Sequence, residues 1–309
     1  MAFEERVIAT ILACQTVQGA SGLMRISWEE ARGIMERAVV RGLGRREAEI
    51  IAYLGVDEKA IRKDHNYVTV LTDLEGRRIL EVTPDRTKES LVTAIKSLDS
   101  KHISGIQAVS MDMWEPYRTA VDLSFPIPRP DVVHDRYHII SHANSALNQV
   151  RKDEARDLAK SGRSDLKGVR QAILYGEENL PERHEATIAQ LKASDLKTAK
   201  GYAMKENLRR CWNHRLETTA RTHFLSWVRW AKRSKLRPFA KVAEMIATRI
   251  DDIISYFRHP ITNGPQEGMN AKLMSIIRAA RGYRTHETFR MAALFFMGGL
   301  DMSLTWRHA

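Results

Sequence analysis

Every strand-like run in this 309-residue chain falls between residues 50 and 139. "IIAYLGVDE", "NYVTVLTDL" and "RRILEVT" are short and rich in β-branched residues, and a turn-like "EGR" separates the last two. A helical pattern follows in "TKESLVTAIKSLDS", with Leu91, Ala94, Ile95 and Leu98 on one face. "IQAVSMDMW" then reads as a strand, "EPYRTAVDLSF" as a helix and "PDVVHDRYHI" as a last strand. The order is β-β-β-α-β-α-β. Strands joined by short turns form an antiparallel meander, whereas strands reached through helical crossovers lie parallel to their neighbours. The chain therefore has material for one mixed five-stranded sheet, and the rest must be built from helices.

Those helices surround the strand region. In residues 1–48, "FEERVIATILACQTV" places Val7, Ile8, Ile11 and Leu12 at helical spacing. Ser27 and Glu30 form a capping box ahead of a helix that buries Ala31, Ile34, Met35 and Ala38. Gly42 is a suitable stop. Arg32, Arg37 and Arg41 project from the same helix, so the pair of helices fits a helix-turn-helix in outline and equally a simple packing unit. Residues 49–140 hold the strands. Residues 141–257 show helical periodicity only, and residues 258–309 a loop and two helices.

Charge points to a partner. The net charge is +11 and the pI about 9.7, which favours a polyanion, nucleic acid before an anionic membrane. Between Asp195 and Lys241, thirteen Lys and Arg face three acids, interleaved with Trp212, Trp227 and Trp230. A solvated helix face would show the same composition. No apolar stretch reaches the roughly 18 residues of a membrane span, and no signal-peptide pattern opens the chain. Cys14 and Cys211, far apart and outside any CxxC, fit a reducing cytosol.

The acids carry the chemistry. Asp57 is expected to end the first strand and Asp112 the fourth. If those strands are adjacent and parallel, the two carboxylates meet beyond the strand ends, where α/β sheets bind ligands. A turn accounts equally well for either acid taken alone. Glu267, in "TNGPQEGMN", suits the first turn of a helix, and Asn270 shares its face. Gly268 beside it costs that helix stability, so close approach of a backbone or a substrate is expected there. His134, His138 and His142 recur every four residues and invite a zinc reading. However, "VVHD" continues a strand, so the three would not share a helical face, and no HExxH-type partner exists.

Four separated motifs, in order, resemble the DDE transposases of the ISL-three family of bacterial insertion sequences: "LGVDEKAIRKDHNYVTVLTDLEGRRILEV", "AVSMDMWEPYRTAV", "VVHDRYHI" and "NGPQEGMNAKLMSIIRAARGYRTHETFRMAALFF". The likeness runs from about residue 1 to 300. It implies a ribonuclease-H-like core with sheet order 3-2-1-4-5 and a catalytic triad of Asp57, Asp112 and Glu267. Asp135, His138 and Asn270 would support that triad. Asp112 and Glu267 stand 155 positions apart, so a helical insertion at about 141–257 is implied between them.

The triad would hold Mg²⁺ or Mn²⁺, as two ions that activate the attacking oxygen and stabilise the leaving one. Double-stranded DNA, as transposon ends and as target, is the implied partner of a cytoplasmic bacterial protein active as a dimer. DNA would be held by Arg32, Arg37 and Arg41, by Arg229, Lys232, Arg233 and Lys235, and by Lys272, Arg278, Arg281 and Arg284. Relatives usually carry a zinc-binding segment upstream, and its absence before Met1 implies a shortened chain that discriminates poorly between its own ends and other DNA. Met274 stands where relatives often have a polar or basic residue. A ribonuclease-H-like nuclease without strand transfer, and a non-catalytic DNA-binding remnant, remain the competing readings.

Overall fold

The structure, a computed structural model, describes residues 2–47, 49–61, 67–261 and 264–304; the side chains of residues 2 and 264–267 lie outside that description. The chain divides into two compact units, residues 1–132 with 261–309, and residues 133–260.

The first unit opens with α1 (Ala2–Cys14), α2 (Val17–Met24) and α3 (Trp28–Arg45). Ser27 and Glu30 form the expected capping box: the Ser27 amide donates to Glu30 Oε2 at 2.8 Å and the Glu30 amide to Ser27 Oγ at 3.1 Å. Two local expectations fail. Leu12 is exposed, because the buried stripe of α1 runs through Val7, Ile8 and Ile11. Gly42 does not end α3. A Cβ there would lie 2.6 Å from that of Leu300, so glycine permits close packing in mid-helix. The segment "GASGLM" belongs to α2, whose start Thr16 caps.

The sheet contains β1 (Tyr53–Ala60), β2 (Tyr67–Asp73), β3 (Arg78–Pro84), β4 (Ala108–Met111) and β5 (Asp131–His134) in the order 3-2-1-4-5. β1–β2 and β2–β3 are antiparallel, and β1–β4 is parallel from Tyr53↔Ala108 to Gly55↔Ser110. This is the expected ribonuclease-H-like α/β arrangement. Helices α4 (Lys88–Lys96), α5 (Ser100–Gly105) and α6 (Glu115–Ser124) complete the crossovers, α5 being unforeseen. Leu54, Val56, Leu71, Leu80, Val109 and Met111 turn one face of the sheet towards Leu91, Ile95, Tyr117 and Val121 of α4 and α6.

The opposite face, through Val68, Val70, Ile79 and Val82, shares a second core with α1–α3 and with α14 (Gly264–Ala279) and α15 (His286–Met297). The N-terminal helices therefore have no core of their own. Met274 packs partly buried against this cluster, which accounts for an apolar residue at that position.

The second unit is helical: α7 (Arg136–Lys160), α8 (Val169–Ala172), α9 (Glu182–Lys192), α10 (Lys197–Arg210), α11 (Glu217–Arg233), α12 (Arg237–Thr248) and α13 (Ile250–Ile254). The strand expected over "PDVVHDRYHI" stops at His134. Asp135 accepts from the Tyr137 amide at 2.8 Å and caps α7, which turns the rest of that run into helix. Trp212 and Trp227 are core residues, the latter donating to the Met204 carbonyl at 2.8 Å, while Trp230 is partly exposed. Cys211 is buried, and burial pushes its thiol up to about 12. No helix among the described residues is long and apolar enough to cross a membrane.

Leu196 precedes α10 without offering a capping side chain. Glu154, reaching over from α7, takes that role. Its buried carboxylate accepts the Lys197 and Thr198 amides, both at 2.7 Å, and the Thr198 hydroxyl at 2.6 Å. Glu154→Ala is expected to strand these donors and cost about 2 kcal/mol, measured by denaturant unfolding of the full chain. Glu154→Gln, which keeps one of the two acceptor oxygens, should cost less.

Candidate active site

The positions of Asp57 and Asp112 follow from the register of β1 and β4. Their parallel pairing ends at Gly55↔Ser110, and each acid lies two residues further along its own chain. Side chains alternate along a strand. Leu54 and Val56, and likewise Val109 and Met111, face α4 and α6, so Asp57 and Asp112 both belong to the face that carries α14. Neighbouring strands lie about 4.8 Å apart, which sets the spacing of the two acids' backbones. One expectation needs correction: Asp57 does not end β1. It is the fifth of eight residues and pairs with Val70, because β2 is long enough to carry β1 on to Ala60. Asp112 does follow directly on β4.

Each carboxylate is held. Asp57 Oδ1 accepts its neighbour Glu58's amide at 2.7 Å. Asp57 Oδ2 accepts from Asn270 Nδ2 at 2.6 Å and from Lys59 Nζ at 2.8 Å. Asp112 Oδ1 accepts from the Trp114 amide at 3.0 Å. Beneath them the Tyr117 hydroxyl lies 2.8 Å from Thr69 Oγ1. Burial raises the Tyr117 phenol well above its ordinary range, the Thr69 contact opposes this, and the charges of Glu58, Asp112 and Asp57 raise it further. The phenol therefore stays protonated and acts as a neutral hydrogen-bonding post.

Glu267 lies in the first turn of α14, three residues before Asn270, and its side chain is outside the described residues. Asn270, docked on Asp57, places that turn of α14 beside the strand. A Cβ on Gly268 would meet nothing within 4 Å among the described residues, so no backbone of theirs outside its own helix presses there. Asp135 and His138 are brought together in the second unit, with His138 Nε2 3.7 Å from Asp135 Oδ2. Among the described residues no group of three or more His, Cys, Asp and Glu side chains forms a metal cluster. His134 ends β5 and lies 3.6 Å from Asp252, while His138 and His142 belong to α7, so the three histidines do not share a helical face.

The basic residues sort into two groups. Arg32 pairs with Glu36 at 3.3 Å and lies over Trp28, Arg37 approaches Glu4 at 3.7 Å, and Arg41 contacts Glu4 at 3.5 Å and donates to the Met302 carbonyl at 2.9 Å. Arg229, Lys232, Arg233 and Lys235 are exposed on α11 and just after it, and Lys272, Arg278, Arg281 and Arg284 on and after α14. None of these eight has an ion-pair partner among the described residues. Arg281 adopts a left-handed φ of 57°, which Gly282 at φ 93° continues, so the chain turns sharply where these cations are displayed. Arg32 and Arg284 line a common cavity of about 600 Å³ with Trp28, Tyr283 and Phe296, away from both acids.

Sequence reasoning missed Lys59 and Arg86. The Arg86 guanidinium lies 4.2 Å from the Tyr67 ring centroid, 5.6 Å from that of Trp114 and 3.2 Å from Glu58. The period-two spacing of Asp57 and Lys59 on one strand was the available signal for the lysine. Nothing local announces Arg86.

A sheet in this order, with acids at matching positions on its adjacent parallel strands, is the ribonuclease-H-like architecture. Residues 54–293 match the family model DDE_Tnp_ISL3, described as transposase, and the chain belongs to that family. It is 25% identical over 282 residues to the transposase for insertion sequence element IS1001 of Bordetella parapertussis, covering 90% of this chain and 69% of that protein. It is also 25% identical over 333 residues to the transposase for IS1557 of Mycobacterium tuberculosis (strain CDC 1551 / Oshkosh), covering 99% and 74%. Membership makes the chain a DNA transposase, with DNA as its partner.

The amide on Asp57 can be tested directly. Asn270→Ala should lower stability by about 1 kcal/mol, the worth of one partly exposed hydrogen bond to a carboxylate. Asn270→Asp should cost more at neutral pH, because it sets a second negative charge against Asp57, and acidification should narrow the gap between the two variants. Urea unfolding at pH 7 and pH 5 measures both.

Proposed function

We propose that the protein cuts DNA at the ends of an insertion sequence and joins those ends to target DNA, using a metal-dependent site of Asp57, Asp112 and Glu267. The observation that carries the reading is the pair of acids each two residues beyond the last parallel pair of β1 and β4, with Asn270 of α14 hydrogen-bonded to one of them. It puts the helix that contains Glu267 at the acid pair without any assumption about that side chain. Hard carboxylate oxygens suit Mg²⁺ or Mn²⁺. When bound, two such ions would polarise the phosphodiester and lower the cost of charge on the attacking and leaving oxygens.

The chain's own residues prepare that chemistry. Asn270 and the Glu58 amide fix the Asp57 carboxylate, and the Trp114 amide fixes Asp112, so neither acid has to be oriented when DNA arrives. Asp135 and His138, 3.7 Å apart at the start of α7, are proposed supporting residues on the family resemblance alone. Arg229, Lys232, Arg233 and Lys235, with Lys272, Arg278 and Arg281, are proposed phosphate contacts because they are exposed and pair with no acid among the described residues. Arg37, Arg41 and to a lesser degree Arg32 are engaged internally, which makes them weaker candidates. A dimer acting in the bacterial cytoplasm completes the reading.

Asp112→Asn, Asp57→Asn and Glu267→Gln are each expected to abolish Mg²⁺- or Mn²⁺-dependent nicking of end-containing duplex while DNA binding stays near normal. Nicking that survives all three substitutions would remove the site assignment. Precut ends separate the neighbouring readings. Joining to target DNA supports a transposase, hydrolysis without joining supports a plain nuclease, and binding with neither supports a non-catalytic remnant.

Neutralising Arg229, Lys232, Arg233 and Lys235 together should weaken DNA binding. It should also flatten the slope of log K against log salt by up to about 0.9 for each phosphate that is no longer neutralised. An unchanged slope would show that this face of α11 does not meet DNA.

A further inference from the structure

We propose that Lys59 is a built-in counter-ion for Asp57, occupying the carboxylate oxygen that a divalent cation needs and leaving it when the cation binds. The proposal rests on the metal-dependent reading of the acid pair and concerns what the site does before metal arrives. Lys59 follows Asp57 by two residues on β1, so the strand presents both on one face. Its Nζ sits 2.8 Å from Asp57 Oδ2, the oxygen that also accepts from Asn270 at 2.6 Å, while Oδ1 takes the Glu58 amide at 2.7 Å. Three donors thus hold the carboxylate. They are not equivalent when a cation approaches. The amide of Asn270 and the backbone amide of Glu58 are neutral and can stay while a metal uses a remaining lone pair. The ammonium carries a full positive charge within hydrogen-bond distance of the same oxygen, and like charges at that range repel strongly in a partly buried site.

Lys59 is also able to leave. Its side chain is 20% exposed, its stem is long and flexible, and Asp57 is its one ion-pair partner among the described residues. Departure moves a positive charge off the acid and into the space beside it, where the proposed reaction must bring a DNA phosphate. Lys59 is a positioning residue on this account. It balances the acid pair while metal is absent and becomes available to DNA once metal is present.

Titration of the full-length protein with Mn²⁺ alone, followed by the electron paramagnetic resonance signal of free Mn²⁺, tests the first half. Lys59→Met should tighten binding about three- to tenfold, the scale of one partly screened ion pair. Lys59→Arg, which keeps the charge, should stay near wild type. Unchanged or weaker binding in Lys59→Met would overturn the proposal. Asp57→Asn and Asp112→Asn serve as separate controls. If they bind Mn²⁺ as well as wild type does, or if no variant binds it, the metal site itself fails and Lys59 with it.

The second half is read first on unaltered protein, with one variant as a comparison. Saturating Mg²⁺ should raise the acetylation rate of Lys59 several-fold, as followed by mass spectrometry. Asp57→Asn should show the high rate without metal. A Lys59 rate indifferent to Mg²⁺ in a protein that binds Mn²⁺ through Asp57 would overturn the displacement and leave the metal site standing.

Discussion

Three residue pairs, Tyr53↔Ala108, Leu54↔Val109 and Gly55↔Ser110, join the meander to the crossover half of the sheet. Everything proposed for the acids depends on that parallel contact. A slip of one residue would turn either Asp57 or Asp112 into the apolar layer under α4 and α6. The slip is prevented by burial on both faces, with Leu54, Val56, Val109 and Met111 packed on one side and α14 closing the other. The register is therefore specified by the core, and the acids inherit their common direction from it.

Gly55 shows how tightly this part of the sheet is drawn. A Cβ at that position would lie 2.3 Å from Thr72 Oγ1 and 2.7 Å from Leu74 Cδ2, beside the point where, on its other edge, β2 shifts register against β3 between Leu71 and Thr72. Any side chain would push β2 away just before Asp57. The last parallel pair and the close approach of β2 thus coincide at one residue, and the glycine allows both. Strand order brings the acids into neighbouring positions, and local packing of this kind holds them there.

How much of this could be read from the sequence depended on the range of the interaction. The five strands and their meander-then-crossover sequence were legible, because β-branched runs and turn residues are local and the crossover rule is nearly general, while the order 3-2-1-4-5 was implied by the family resemblance. The ends of elements were less so. Asp57 looked terminal although β1 runs on to Ala60, since the continuation depends on pairing with Tyr67 and Val68 across the sheet. "HDRYHI" looked extended although Asp135 caps a helix there, a choice made by one side-chain hydrogen bond. Asn270 was tied to the Glu267 face by helical spacing, but its contact with Asp57 spans 213 residues and no local pattern encodes it. Arg86 between Tyr67 and Trp114 was invisible for the same reason.

Charge shows the same limit from the other side. Composition counts cations, and a run of arginines on α3 looks as suited to DNA as a run on α11. The structure distinguishes them by what each side chain already touches. Arg41 is 20% exposed and spends its donors on Glu4 and the Met302 carbonyl, so offering it to a phosphate would first break interactions that hold α3 to α1 and to the chain end. Among the described residues Arg229 and Arg233 have no such interactions to give up, and they stand beside Trp230, which is partly exposed on the same helix. A phosphate contact releases condensed counterions at little internal cost only when the cation is unspent. On the proposed reading the cations open to phosphate are those of α11 and of the turn after α14, whereas Arg41 of α3 is already committed within the first unit.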